Sequence, residues 1–123
     1  MAKILAIDDD SFFLLSLNNF LTFQKHEVTT VQNPYYAKEV IRDNEFDCLL
    51  MDIQMPGVDG YELVEYVRRI RPTLPIIVIT GLSASKYRDE LSRYEKMAFL
   101  EKPFNPLTLM ELIKKFTQPE SAE

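Results

Sequence analysis

Cysteine, basic charge and long apolar runs are all scarce in this sequence, and each scarcity removes a class of protein. Cys48 is the only cysteine. No internal disulfide can form, and its place in the run Cys48-Leu49-Leu50-Met51 reads as a small buried hydrophobe. Lys and Arg number 14 against 19 Asp and Glu, a formal net charge of −5. That balance opposes binding to the nucleic-acid backbone, so a DNA-binding role would need a separate module. No apolar run approaches the roughly 20 residues of a membrane span, and the stretch Met1-Ala2-Lys3-Ile4 is too short for a signal peptide. The reducing cytoplasm is the expected location. Internal repeats, linkers and low-complexity stretches are absent as well. One domain over residues 1–117 is expected, with a frayed tail from Gln118 to Glu123.

What the sequence does have is a set of short, nearly continuous apolar runs: Ile4 to Ile7, Cys48 to Met51, Ile76 to Ile79 and the shorter Met97 to Leu100. Runs of this kind suit parallel strands buried on both faces. Glu27 to Val31 is a weaker fifth candidate, and its threonines place it at a sheet edge. Between the runs, apolar residues recur at helical spacing: Phe13, Leu17, Phe20 and Leu21; Tyr36, Ala37, Val40 and Ile41; Leu63, Val67 and Ile70; Tyr87, Leu91 and Tyr94; Leu109, Leu112, Ile113 and Phe116. Ser11, Asn33-Pro34, Asp59 and Asn105-Pro106 are the expected capping positions, two of them followed by proline at the first helical residue. The pattern is βα repeated five times. It predicts an α/β fold, a doubly wound five-stranded parallel sheet with right-handed crossovers and helices on both faces.

Such sheets bind ligands outside the carboxyl ends of their strands, near the point where strand order reverses. The first candidate strand runs into Asp8-Asp9-Asp10, the third into Asp52, the fourth into Thr80-Gly81 and the fifth into Lys102-Pro103. Asp9 and Asp52 offer hard oxygen ligands suited to Mg²⁺ with water in its remaining positions. Asp8 is close enough in sequence to assist, and the backbone carbonyl of Gln54 can complete the protein's share. Asp52 can attack phosphorus as a carboxylate nucleophile, while Mg²⁺ and the Lys102 ammonium neutralise charge on the transferring group. Thr80 can donate its hydroxyl to a phosphoryl oxygen, with Gly81 leaving room for close approach. Taken singly these residues have ordinary explanations: Asp8, Asp9 and Asp10 as helix caps, Lys102 as a solvated charge, Thr80 as a β-former at a strand end. Convergence on one rim is what makes them a candidate site.

Four ordered motifs, Ile7-Asp8-Asp9, Met51-Asp52-Ile53-Gln54-Met55-Pro56-Gly57-Val58-Asp59-Gly60, Val78-Ile79-Thr80-Gly81 and Lys102-Pro103-Phe104, extend the pattern. Across Lys3 to Thr117 the sequence resembles the receiver domains of two-component response regulators, similar to stand-alone chemotaxis-type receivers. The resemblance implies a flavodoxin-like (βα)5 sheet of strand order 2-1-3-4-5. It implies that Asp52 is the phosphoacceptor, taking its phosphoryl group from a phosphohistidine on a sensor histidine kinase or phosphotransfer protein. Mg²⁺ would be held by Asp9, Asp52 and the Gln54 backbone carbonyl, supported by Asp8, and Lys102 would contact the phosphate. Thr80 would move towards the phosphoryl group, and the aromatic residue three positions before the lysine, Phe99, would turn inward. Many members carry tyrosine there, so Phe99 keeps the ring but loses the hydroxyl and its hydrogen bond. Lys102-Pro103 resembles the family's cis peptide, and Gln54 and Leu82 occupy positions expected to tune access of hydrolytic water. A downstream effector is expected to read a changed surface on the fourth helix, fifth strand and fifth helix. His26, the only histidine, reads as an exposed residue far from this rim, so no phosphohistidine relay within the chain is expected.

Three other readings share parts of the pattern. Haloacid dehalogenase phosphatases carry a nucleophilic Asp-x-Asp that Asp8-Asp9-Asp10 resembles, but they expect threonine or valine where this chain has Phe12. A flavin-binding module needs a Gly/Ser/Thr-rich phosphate cradle where this chain has acids. A binding module that no longer takes phosphate is opposed by the intact set Asp8, Asp9, Asp52, Thr80 and Lys102. The expected protein is a switch, not an enzyme.

Overall fold

The computed structural model describes residues 1–81 and 85–118. Strands β1 (Lys3–Ile7), β2 (Glu27–Val31), β3 (Cys48–Met51), β4 (Ile76–Thr80) and β5 (Met97–Glu101) form one parallel sheet in the order β2-β1-β3-β4-β5. Helices α1 (Ser11–Phe23), α2 (Ala37–Asp43), α3 (Gly60–Ile70), α4 (Ser85–Leu91) and α5 (Pro106–Thr117) alternate with the strands, and a 3₁₀ turn over Pro34–Tyr36 leads into α2. The doubly wound sheet and the 2-1-3-4-5 order are as expected. A two-residue antiparallel ladder, Gln54–Met55 against Val58–Asp59, tightens the loop after β3.

Side-chain alternation along the strands divides the core in two. Leu5, Ile7, Leu49, Met51, Ile76 and Val78 pack with Ala37, Ile41, Leu63, Val64, Val67 and Leu91, residues of α2, α3 and α4. Ile4, Ala6, Cys48, Leu50, Ile77 and Ile79 pack with Leu14, Leu17 and Leu21 of α1 and Leu109 and Ile113 of α5. β1, β3 and β4 are therefore covered on both faces, which is why they read as unbroken apolar runs. β2 pairs with β1 alone and exposes its threonines, as its polar pattern predicts.

Local signals start most helices where expected, with one shift. Asp10, not Ser11, caps α1: its Oδ1 accepts the amides of Phe12 and Phe13 at 3.0 and 3.1 Å, and Ser11 is already the first helical residue. Asn33, Asp59 and Asn105 cap as expected. Tyr36 does not join the buried stripe of α2; it ends the 3₁₀ turn and is exposed. In α4, Leu91 is buried and Tyr94 packs just beyond the helix, while the side chain of Tyr87 lies outside the described residues. The same holds for Leu82 and for the tail beyond Gln118. Among the described residues no helix is long and apolar enough to cross a membrane.

His26 corrects a second expectation, since it is half-buried and its Nδ1 accepts the Ala2 amide at 3.1 Å. Burial lowers the imidazole below its ordinary value of 6.5. The folded state thus binds this proton less tightly than the unfolded chain, and its contribution is full above 6.5 and lost as pH falls through the lowered value. Thermal unfolding across that window should show a midpoint that declines on acidification, with a smaller decline in His26→Gln. Cys48 is wholly buried, and burial, aided by the charge of Asp47, pushes its thiol up to about 12. A chromogenic disulfide reagent at neutral pH should leave the native thiol untouched and label it fully in denaturant.

Candidate functional site

Sheet register assembles the site. Ile7 lies opposite Met51, so the next residue of each strand, Asp8 and Asp52, leaves the sheet edge beside its neighbour. Both backbones stay anchored: the Asp8 amide donates to the Val31 carbonyl at 3.2 Å and the Asp52 amide to the Ile7 carbonyl at 3.1 Å. At the other side Thr80 pairs with Glu101, and the Lys102 amide donates to the Thr80 carbonyl at 2.8 Å. Alternation carried past these ends gives Asp8, Asp52 and Lys102 the parity of Ala6, Leu50 and Leu100, the face covered by α1 and α5. Thr80 and Phe99 have the parity of Val78, the face covered by α2, α3 and α4. The β1–β3 boundary is where strand order reverses, the expected place for a ligand site.

The acids converge. Asp8, Asp9 and Asp52 each offer a carboxylate oxygen, and these atoms lie within 4.8 Å of one another. Lys102 Nζ donates to Asp8 Oδ2 at 2.8 Å and to Asp52 Oδ2 at 3.3 Å. The second oxygen of each buried acid is tied to backbone: Asp8 Oδ1 accepts the Asp10 amide at 2.9 Å, and Asp52 Oδ1 the Gln54 amide at 2.8 Å. Burial raises the Asp8 carboxyl above its ordinary value, although the hydrogen bonds from Lys102 and Asp10 oppose it. Burial works against the Lys102 ammonium too, yet the hydrogen bond to Asp8 and the charges of Asp8 and Asp52 outweigh it and hold the amine above its ordinary value. Exposure accounts for the asymmetry, because the Asp8 side chain is 3% accessible and that of Lys102 is 23%. An all-oxygen donor set of high negative charge fits Mg²⁺, with Asp8, Asp9 and Asp52 as its carboxylates.

Other expected residues lie on or just beyond β4 and β5. Thr80 is buried at the end of β4. Phe99 is half-buried on β5, and the Arg88 guanidinium lies 5.5 Å from its ring centroid. The Lys102–Pro103 peptide bond is cis. Gly57 has φ +77°, and a Cβ there would meet the Tyr35 hydroxyl, so the loop after Asp52 requires glycine at this turn. Two neighbours escaped the sequence reading. Phe13 places its ring centroid 4.1 Å from Lys102 Nζ, and Arg88 faces Phe99. Phe13 was hidden because it also fits the apolar stripe of α1, and Arg88 because a lone arginine on a polar helix carries no pattern.

The family model described as response regulator receiver domain matches residues 4–114. The chain belongs to this family. The receiver domain is 30% identical over 112 residues to the response regulator protein FleR of Pseudomonas aeruginosa, a match covering 91% of this chain and 24% of FleR. It is 30% identical over 120 residues to the sensor protein GacS of Pseudomonas syringae, covering 94% of this chain and 13% of GacS. The chain thus spans less than a third of either curated relative. Among solved structures, the receiver domain is similar to the Vibrio cholerae chemotaxis protein CheY4, with a TM-score of 0.85 at 29% identity over 94% of this chain and 98% of that one. It is also similar to the Thermotoga maritima response regulator TrrA, solved in complex with Mg²⁺-BeF, with a TM-score of 0.82 at 30% identity over 94% and 99% of the two chains.

Replacing Lys102 by methionine would leave Asp8 and Asp52 facing each other without a cation. Urea denaturation of Lys102→Met should show a loss of about 1–3 kcal/mol, the cost of stranding partly buried charge. Added Mg²⁺ should reduce that loss by binding the folded state.

Proposed function

We propose that this receiver domain accepts a phosphoryl group on Asp52 from a phosphohistidine of a sensor histidine kinase or phosphotransfer protein in a cytoplasmic phosphorelay. The observation that carries the reading is the cluster itself: three carboxylates within 4.8 Å of one another, with one ammonium shared between Asp8 and Asp52. A carboxylate oxygen of Asp52 forms the new P–O bond as the donor's P–N bond breaks, and the departing imidazole keeps the electron pair and takes up a proton. Asp9, Asp52 and the Gln54 carbonyl, with Asp8 in support, would hold Mg²⁺, which when bound would supply positive charge for the transferring oxygens. Lys102 already stands at the acceptor and can follow the charge from carboxylate to phosphoryl oxygen. Acceptance of one group, rather than turnover of a substrate, is the expected behaviour.

The modification adds roughly −1.5 to −2 charge and new acceptor oxygens, enough to bias an equilibrium of a few kcal/mol. Thr80 can donate its hydroxyl to the new group. Phe99 shares the parity of Thr80 and can turn inward as Thr80 moves, changing the surface formed by α4, β5 and α5. A downstream effector would read that surface. Likeness to TrrA, whose structure holds Mg²⁺-BeF, supports the reading.

Intact mass and amide NMR with Mg²⁺ and a small phosphoryl donor test it directly. Wild type should gain a Mg²⁺-dependent adduct with shifts at Thr80 and Phe99, and Asp52→Asn should gain neither. Lys102→Ala should fail to reproduce those shifts. A wild type with no adduct and no shifts would instead be a binding module that takes no phosphate.

A further inference from the structure

The Lys102 ammonium has three protons, and the structure accounts for two of them through Asp8 at 2.8 Å and Asp52 at 3.3 Å. On a third side stands the ring of Phe13, its centroid 4.1 Å from Nζ. That separation is well inside the distance at which an aromatic face attracts a cation. Phe104, two residues beyond Lys102, meets Phe13 edge to face, with centroids 6.2 Å apart and planes at 79°.

We infer that Phe13 is a positioning residue for Lys102, its π face holding the ammonium at the rim while Phe104 fixes the ring. The inference rests on the receiver reading above. Lysine carries a compact charge on a flexible four-carbon stem, so something must confine it. In the metal-free protein the two carboxylates share that work with the ring. A divalent cation among the acids competes for the same carboxylates, and the ring then becomes the larger part of what keeps the amine in place. The ring face presents no single acceptor atom, so the ammonium can shift from carboxylate to phosphoryl oxygen while staying over it. Core filling alone would make Phe13 indifferent to its electrons; a cation contact would not.

The test replaces Phe13 by leucine and by a series of mono-, di- and trifluorinated phenylalanines, which are close in shape and keep the α1 packing but have progressively weaker π faces. In metal-free protein the ε-methylene protons of Lys102 should lie upfield of those of the other lysines through the ring current, and should move back in Phe13→Leu. Affinity for beryllofluoride with Mg²⁺, followed by amide shifts, should fall stepwise along the fluorinated series to about fivefold below wild type. Absence of the upfield shift, or an affinity that stays flat along the series while wild type binds, would overturn the role given to Phe13 alone. A wild type that takes up no beryllofluoride would overturn the receiver reading and, with it, that role.

Discussion

Carboxylates brought together repel, and the structure is organised around the need to balance that repulsion at one rim of the sheet. Asp8 and Asp52 cannot simply swing apart, because one oxygen of each is held by a backbone amide two residues further on. The balancing charge comes from Lys102, 94 residues from Asp8 and 50 from Asp52 in the chain. Those three side chains meet only if β1 lies beside β3 in its observed register and β5 ends level with β4. A slip of one residue between β1 and β3 would turn one of the acids to the opposite face. Sheet order and site chemistry are therefore a single constraint.

The sheet also separates two kinds of work. Asp8, Asp52, Lys102 and Phe13 lie toward the face covered by α1 and α5, where charge is gathered. Thr80 and Phe99 lie toward the face covered by α2, α3 and α4, where a change of side-chain position reaches the surface. In the receiver reading, phosphoryl charge arriving on the first side alters packing on the second through Thr80, the last residue of a fully buried strand. The Arg88 guanidinium over the Phe99 ring belongs to that second side and provides a cationic partner for a ring without a hydroxyl.

Two arginines steady the opposite end of the molecule. Arg68 Nη1 donates to the Leu74 carbonyl at 2.6 Å and Nη2 to the Glu95 carbonyl at 2.7 Å, joining the segments that enter β4 and β5. Arg71 Nη2 donates to the carbonyls of Ile41, Arg42 and Asn44, closing the C-terminal end of α2. Backbone carbonyls that leave regular structure there find partners within the chain. The strands thus enter the sheet from fixed points, which the register at the rim requires.

By itself the sequence determined the five strands, the βα alternation, the edge position of Glu27–Val31 and the acids that follow the strands, because each is a local pattern of period, run length or strand-end chemistry. Asp52, Thr80 and Lys102 were legible as a set only through the assumption that parallel strands share one carboxyl edge. Tertiary structure decided what depends on distance between remote segments: that Lys102 bridges Asp8 and Asp52, that His26 accepts the Ala2 amide, and that Phe13 and Arg88 set an aromatic face against a cation. Phe13 shows the reason most clearly. On one helix its spacing says only that it faces the sheet, and whether that means aliphatic core or the ammonium of a lysine is fixed by how far β5 reaches before the chain turns.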